Sequence, residues 1–253
     1  MKYFLIFVLF LTDSPLFSQI TDDFSDGDFI ISPLWSGTDV DFIVNASFEL
    51  QLNNSVASTS YLSTPHGLST LDDKEWTFLT RQTFAPSSSN FGRVFLTADN
   101  ADLTVAQNGF YIQLGEAGST DAVRLFKMVS GVSTELLAGP VGQISASFAV
   151  GVRVVRDNGA NWELMIDDAG GTNYTSAGTV NDATSLLGTH FGAMQIYTAS
   201  NANKFFYDNI YVGDEIIDVT PPTLVSATAI NANLIDVLFD EPVDQVTAET
   251  LGN

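Results

Sequence analysis

The chain of 253 residues contains no cysteine, two histidines, and nine lysines and arginines against 30 aspartates and glutamates. Thiolate catalysis, cysteine-ligated zinc and disulfide stapling are therefore excluded. A chain of this length buries an adequate core without staples. The shortage of basic residues leaves a formal net charge of -21, which repels phosphate backbones and anionic lipid. Nucleic-acid binding and peripheral membrane docking are both disfavoured. Calcium is the natural counter-ion of such a surface, and the same charge by itself keeps an exported protein soluble. No Gly-x-Ser-x-Gly elbow and no glycine-rich loop ahead of a helix occurs, so the serine-hydrolase and phosphate-binding signatures are missing. His66, between Pro65 and Gly67, reads as a turn residue, and His190 as an ordinary strand or loop residue.

Long apolar runs are missing too. Lys2 is followed by an apolar stretch from Tyr3 to Leu11 and then by Thr12-Asp13-Ser14-Pro15-Leu16-Phe17-Ser18-Gln19, so the run falls well short of the roughly 20 residues of a membrane span. A basic start and a short apolar segment form a secretory signal, with cleavage expected between Gln19 and Ile20. The chain is thus expected to be exported, secreted or displayed at a cell surface.

What is present is a period of two. Phe48, Leu50 and Leu52 alternate with Glu49 and Gln51; Trp76 and Phe78 share a parity; Phe110, Ile112 and Leu114 alternate with Tyr111 and Gln113. Val150, Val152 and Val154 repeat it, as do Trp162, Leu164 and Ile166, and the aromatic run from Phe205 to Val212. Half-buried strands produce this pattern. Trp76, Phe78, Phe110, Ile112, Val152, Val154, Trp162 and Leu164 are expected to lie between two sheets. Asn158-Gly159 predicts a tight turn joining 148–156 to 161–168, both residues tolerating positive φ. Roughly a dozen strands with turn signals at short intervals point to an all-β, two-sheet antiparallel jelly-roll sandwich.

The stretch from Val150 to Asp167, Val-Gly-Val-Arg-Val-Val-Arg-Asp-Asn-Gly-Ala-Asn-Trp-Glu-Leu-Met-Ile-Asp, resembles the central hairpin of concanavalin A-like and laminin-G-like domains. Phe205 to Val212 is similar to the last strand of that family, which pairs near the first. The resemblance implies one such domain over residues 20–214. It also implies that the first and last strands meet, which would bring Asp23 toward Asp208. After a linker at 215–222 containing Pro221-Pro222, residues 223–253 resemble the opening of a bacterial Ig-like domain of surface-layer type, with Phe239-Asp240-Glu241-Pro242-Val243 closing its second strand. That domain is expected to be incomplete, which would make the chain the N-terminal piece of a longer modular protein.

Concanavalin A-like folds carry both lectins and glucanases, and the Glu-x-Asp-x-x-Glu string of the glucanases does not occur here. Glu163 and Asp167 share a strand face but stand about 13 Å apart, beyond the roughly 5 to 9.5 Å of paired glycosidase carboxylates. Both read as solvated outward residues. The site-like cluster is Asp22-Asp23-Phe24-Ser25-Asp26-Gly27-Asp28. Asp23, Asp26 and, through the family resemblance, Asp208 are candidates for a structural calcium, which favours several carboxylate and carbonyl oxygens. An Asp-Gly turn with locally bonded carboxylates is the alternative. Trp35, Tyr111, Phe126 and Tyr197 are candidates for stacking on sugar rings, although strand aromatics are usually core. The sequence reads as a non-catalytic exported recognition or adhesion module whose partner is a glycan or a surface protein. The competing readings are a spacer that binds nothing and a glycan-cleaving enzyme.

Overall fold

A computed structural model describes residues 19–116, 118, 120–217, 219–241 and 243. Residues 1–18 of the expected signal segment 1–19, Asp218 and residues 244–253 lie outside the described residues. The chain divides into two compact units between Glu215 and Ile216.

The first unit is built from β1 (Ile20–Asp22), β2 (Ser36–Gly37), β3 (Phe42–Val44), β4 (Leu50–Leu52), β5 (Ser58–Pro65), β6 (Lys74–Gln82), β7 (Phe91–Ala98), β8 (Gly109–Leu114), β9 (Val123–Val129), β10 (Val132–Ala138), β11 (Phe148–Arg156), β12 (Asn161–Asp167), β13 (Thr175–Asn181), β14 (His190–Tyr197) and β15 (Phe205–Asp214). One sheet has eight strands, in the order β13-β12-β11-β6-β15-β4-β3, with β1 added to β15. The other has seven, in the order β10-β9-β8-β7-β14-β5-β2. Every pairing is antiparallel. First and last strands are neighbours, Asp22 facing Ile210.

The core lies between the sheets, and all eight residues expected there are essentially inaccessible to solvent. Strand alternation explains it: each contributes one apolar face, and two such faces close on one another. Three local expectations are corrected. Phe48 does not belong to β4 but sits exposed at φ 61° in the preceding turn. Asn45 builds that turn by accepting the Ser47 and Glu49 amides. In β15 the parity of Phe205 and Tyr207 does not run on to Tyr211. A bulge at Asn209, φ 48°, shifts the register, so Ile210 and Val212 point inward instead.

The third correction concerns the β11–β12 turn. The hairpin forms where expected, but Ala160, not Asn158 or Gly159, takes the positive φ, at 62°. The Ala160 amide bonds to the Asp157 carbonyl, and the Asp157 carboxylate accepts the Gly159 and Asn161 amides. A turn braced by Asp157 and followed by one left-handed residue satisfies the connection without positive φ at its centre.

In the second unit, β16 (Leu224–Asn231) and β17 (Leu234–Phe239) form a two-stranded antiparallel sheet. Thr223 and Asp240 clasp its open end through side-chain and amide hydrogen bonds.

Candidate functional site

The seven-stranded sheet carries a second apolar layer on the face turned away from the core. Register aligns Gly192 of β14, Phe95 of β7, Tyr111 of β8, Phe126 of β9 and Glu135 of β10 in one row. Phe95 and Tyr111 lie 5.3 Å apart, and Tyr111 and Phe126 stack at 5.1 Å with planes 7° apart. Such contacts arise because side chains opposite one another across a ladder are the nearest neighbours on a sheet face. The adjacent row holds Tyr61, Met194, Arg93 and Gln113.

The β7–β8 loop folds over part of this face. Leu103 from the loop joins Phe95, Ala98, Tyr111, Met128 and Met194 in one buried cluster. Gly192 leaves the room: a Cβ there would strike the Leu62 carbonyl and the Leu103 side chain. Hydrogen bonds within the segment hold the loop in shape. Asp99 takes both the amide and the side-chain nitrogen of Asn108, Gln107 bonds the Asn100 amide and the Asp102 carbonyl, and Ser63 reaches the Ala101 carbonyl. Between loop and sheet remains a cavity of about 370 Å³ whose lining includes Thr59, Arg93, Phe95, Thr104, Met194 and Ile196. Its lining combines apolar and polar groups in similar measure, and small-ligand sites join apolar surface to a few placed polar groups.

At the other side of the molecule the acidic turn is a series of self-bonded carboxylates. Asp22 accepts the Phe24 amide and, at 2.8 Å, the Trp35 indole N–H, and burial pushes its pKa up to about 6. Asp23 accepts both the amide and the hydroxyl of Ser25, which lowers its pKa. Asp26 accepts the Asp28 amide, and Asp208 accepts the Asn209 amide. Burial raises the Asp208 pKa, and the charges of Glu49 and Asp23 raise it further. Asp23 and Asp208 are thus within electrostatic reach of one another, while Asp26 acts on Asp22. Among the described residues no group of three or more histidine, cysteine, aspartate or glutamate side chains is arranged to hold a metal ion.

Of the four aromatic candidates, Tyr111 and Phe126 stand on the outward face. Trp35 and Tyr197 belong to the main core, where Trp35 packs edge-on against Phe191 at 5.9 Å and the Tyr197 hydroxyl bonds Ser60 and Asn54. Asp167, expected to be solvated, is buried and accepts the Ala169 and Asn173 amides. Its carboxylate serves the loop after β12. His66, read as a turn residue, is buried just after β5. Arg93, Phe95 and Met194 were not singled out by the sequence, although their parity opposite Val94, Leu96 and Ala193 was a readable signal.

Similarity to known proteins is confined to architecture. The chain is similar to the carbohydrate recognition domain of Emp47p, with TM-score 0.57 and 11% identity over 80% of this chain and 97% of that one. It is also similar to the Ca2+/Man-bound form of the VIP36 exoplasmic/lumenal domain, with TM-score 0.55 and 11% identity over 91% and 99%. The fold is a concanavalin A-like, lectin-type jelly roll. The metal-free form of the Emp46p carbohydrate recognition domain matches at TM-score 0.55 and 10% identity, covering 80% of this chain and 98% of that domain. No family model matches the sequence. No curated protein matches it either. No helix among the described residues is long and apolar enough to cross a membrane.

Proposed function

We propose that the first unit is an exported, non-catalytic glycan-recognition module that binds in the cavity on the outward face of the seven-stranded sheet. The observation that carries this reading is the preformed cavity of about 370 Å³ beside the aromatic row Phe95, Tyr111 and Phe126. Sugar rings present apolar faces edged with hydroxyls, and a lining that mixes Phe95, Met194 and Ile196 with Thr59, Thr104 and Arg93 matches both features. The lectin-type fold of Emp47p and VIP36 supports the reading, and fold by itself does not assign function. Asp167 is committed to backbone amides and stands on a strand with Glu163 at the wrong spacing for glycoside hydrolysis, so no acid–base pair is assigned. Export is supported by the pattern of residues 1–19.

Binding of the purified chain to an array of neutral and acidic oligosaccharides tests the proposal. Specific binding that Thr59→Trp and Thr104→Trp, which fill the cavity from its lining, each weaken by about tenfold or more, with the thermal transition preserved, is the expected result. Absence of binding to every glycan would leave the spacer reading in its place.

A structural calcium held by Asp23 and Asp208, with Asp26 at its margin, is a second, separate proposal. Its support is the charge of Asp23, which raises the Asp208 pKa, and the calcium in the VIP36 complex. Two carboxylates are a minimal set, and backbone carbonyls of the turn would have to complete it.

A further inference from the structure

Arg93 differs from the other cations of this acidic chain. Of the eight lysines and arginines among the described residues, Lys74, Arg81, Arg124, Lys127, Arg153 and Arg156 each pair with a carboxylate. Lys204 donates to Asn201. Arg93 has no ion-pair partner among the described residues, although the chain holds 30 acidic side chains. Among the described residues its side chain makes one hydrogen bond, from Nε to Gln113 Oε1 at 3.2 Å. The guanidinium carbon lies 5.0 Å from the Tyr111 ring centre and 5.4 Å from that of Phe91. Arg93 thus lies beside two rings and Gln113, it lines the cavity, and among the described residues its terminal nitrogens meet no protein acceptor.

We infer that this cavity takes a sugar unit bearing a carboxylate, with the carboxylate paired to the terminal nitrogens of Arg93. The inference deepens the glycan-recognition reading and rests on it. A planar guanidinium with both outer nitrogens free matches a carboxylate through two parallel N–H···O bonds. The two rings beside it restrict the side chain in advance, so less side-chain entropy is lost on binding. The charge pattern gives selectivity in the same direction. A net charge of -21 repels anions in general, and screening over about 8 Å at physiological salt confines that repulsion, leaving the nearest charge to decide. A single acidic unit seated at Arg93 is favoured over a long polyanion, whose remaining charges would lie along acidic surface.

The test uses the full chain and short oligosaccharides of galacturonic, mannuronic and glucuronic acid, two to four units long, each beside its carboxyl-reduced neutral counterpart. Calorimetric titration is expected to show at least one uronate binding about tenfold or more tightly than its reduced form. Arg93→Gln should abolish that difference and Arg93→Lys should retain part of it, because lysine keeps the charge and loses the fork. Circular dichroism melts of both variants check that the sheet is intact. Equal affinity for acidic and neutral forms, or a preference that survives Arg93→Gln, would overturn the inference and leave glycan recognition standing. Binding of neutral glycans with no uronate bound would do the same. If no glycan of either kind binds, both the inference and the reading beneath it fall.

Discussion

Trp76 of β6 and Trp162 of β12 lie stacked, ring centres 5.6 Å apart and planes 23° apart, on either side of the strand that separates them in the eight-stranded sheet. Trp162 also meets Phe110 of the opposite sheet at 4.3 Å. One indole therefore joins neighbours within its own sheet to the facing layer. Replacing Trp162 by alanine removes both aromatic contacts and opens a large void, and the expected loss is about 3–5 kcal/mol. Urea denaturation should give that value; a loss below about 1 kcal/mol would mean that the sandwich centre lies elsewhere.

Ala160 holds a left-handed backbone at φ 62° in the β11–β12 turn. Alanine pays for that conformation and glycine does not, so Ala160→Gly is expected to raise stability by about 0.5–1 kcal/mol. The greater freedom of glycine in the unfolded chain limits the gain. Destabilisation on equilibrium unfolding would contradict the assigned turn.

Burial, together with the nearby His190, lowers the His66 pKa to about 4. An unfolded histidine titrates near 6.5, so between these values the unfolded chain binds a proton that the folded chain refuses. The stability attached to neutral His66 is complete above about pH 6.5 and is lost as the pH falls toward 4, by up to about 3 kcal/mol. Asp22 has the opposite sign. With its folded pKa raised to about 6, it is protonated first in the folded chain, and acidification through that range restores stability. The raw pH profile is therefore blunted, and the difference between wild type and His66→Gln isolates the histidine. That difference should shift against the wild type by about 2 kcal/mol between pH 7 and about 4.5; a constant difference would refute the assignment.

Calcium gives a separate thermal test. If Asp23 and Asp208 hold the ion, millimolar calcium raises Tm over a chelator control, because only the folded chain brings β1 beside β15. Asp208→Asn should remove the response and should also relieve the carboxylate repulsion that raises the Asp208 pKa. Superimposable melts with calcium and with chelator would end the calcium proposal while leaving the strand pairing untouched.

The amino-acid sequence by itself determined the strand periodicity, the inward set from Trp76 to Leu164, the hairpin after Arg156 and the all-β class, because each depends on neighbours two to five positions away. Long-range contact decided the rest. The bulge at Asn209 reflects how β15 is drawn into register by β6, whereas the left-handed Ala160 answers to the Asp157 carboxylate within the same turn. Tyr111 and Trp35 looked alike as candidate exposed aromatics, yet Trp35 is drawn into the core by Asp22, 13 positions away, while Tyr111 lies beneath Arg93 on the other face of its sheet. Parity could place Arg93, Phe95 and Met194 on the outward face, but not bring them to one cavity. Phe95, Met194 and Leu103 come from two strands and a loop, and only the pairing of β14 with β7, 93 of β7 opposite 194 of β14, brings the unpaired guanidinium and the apolar wall to one cavity.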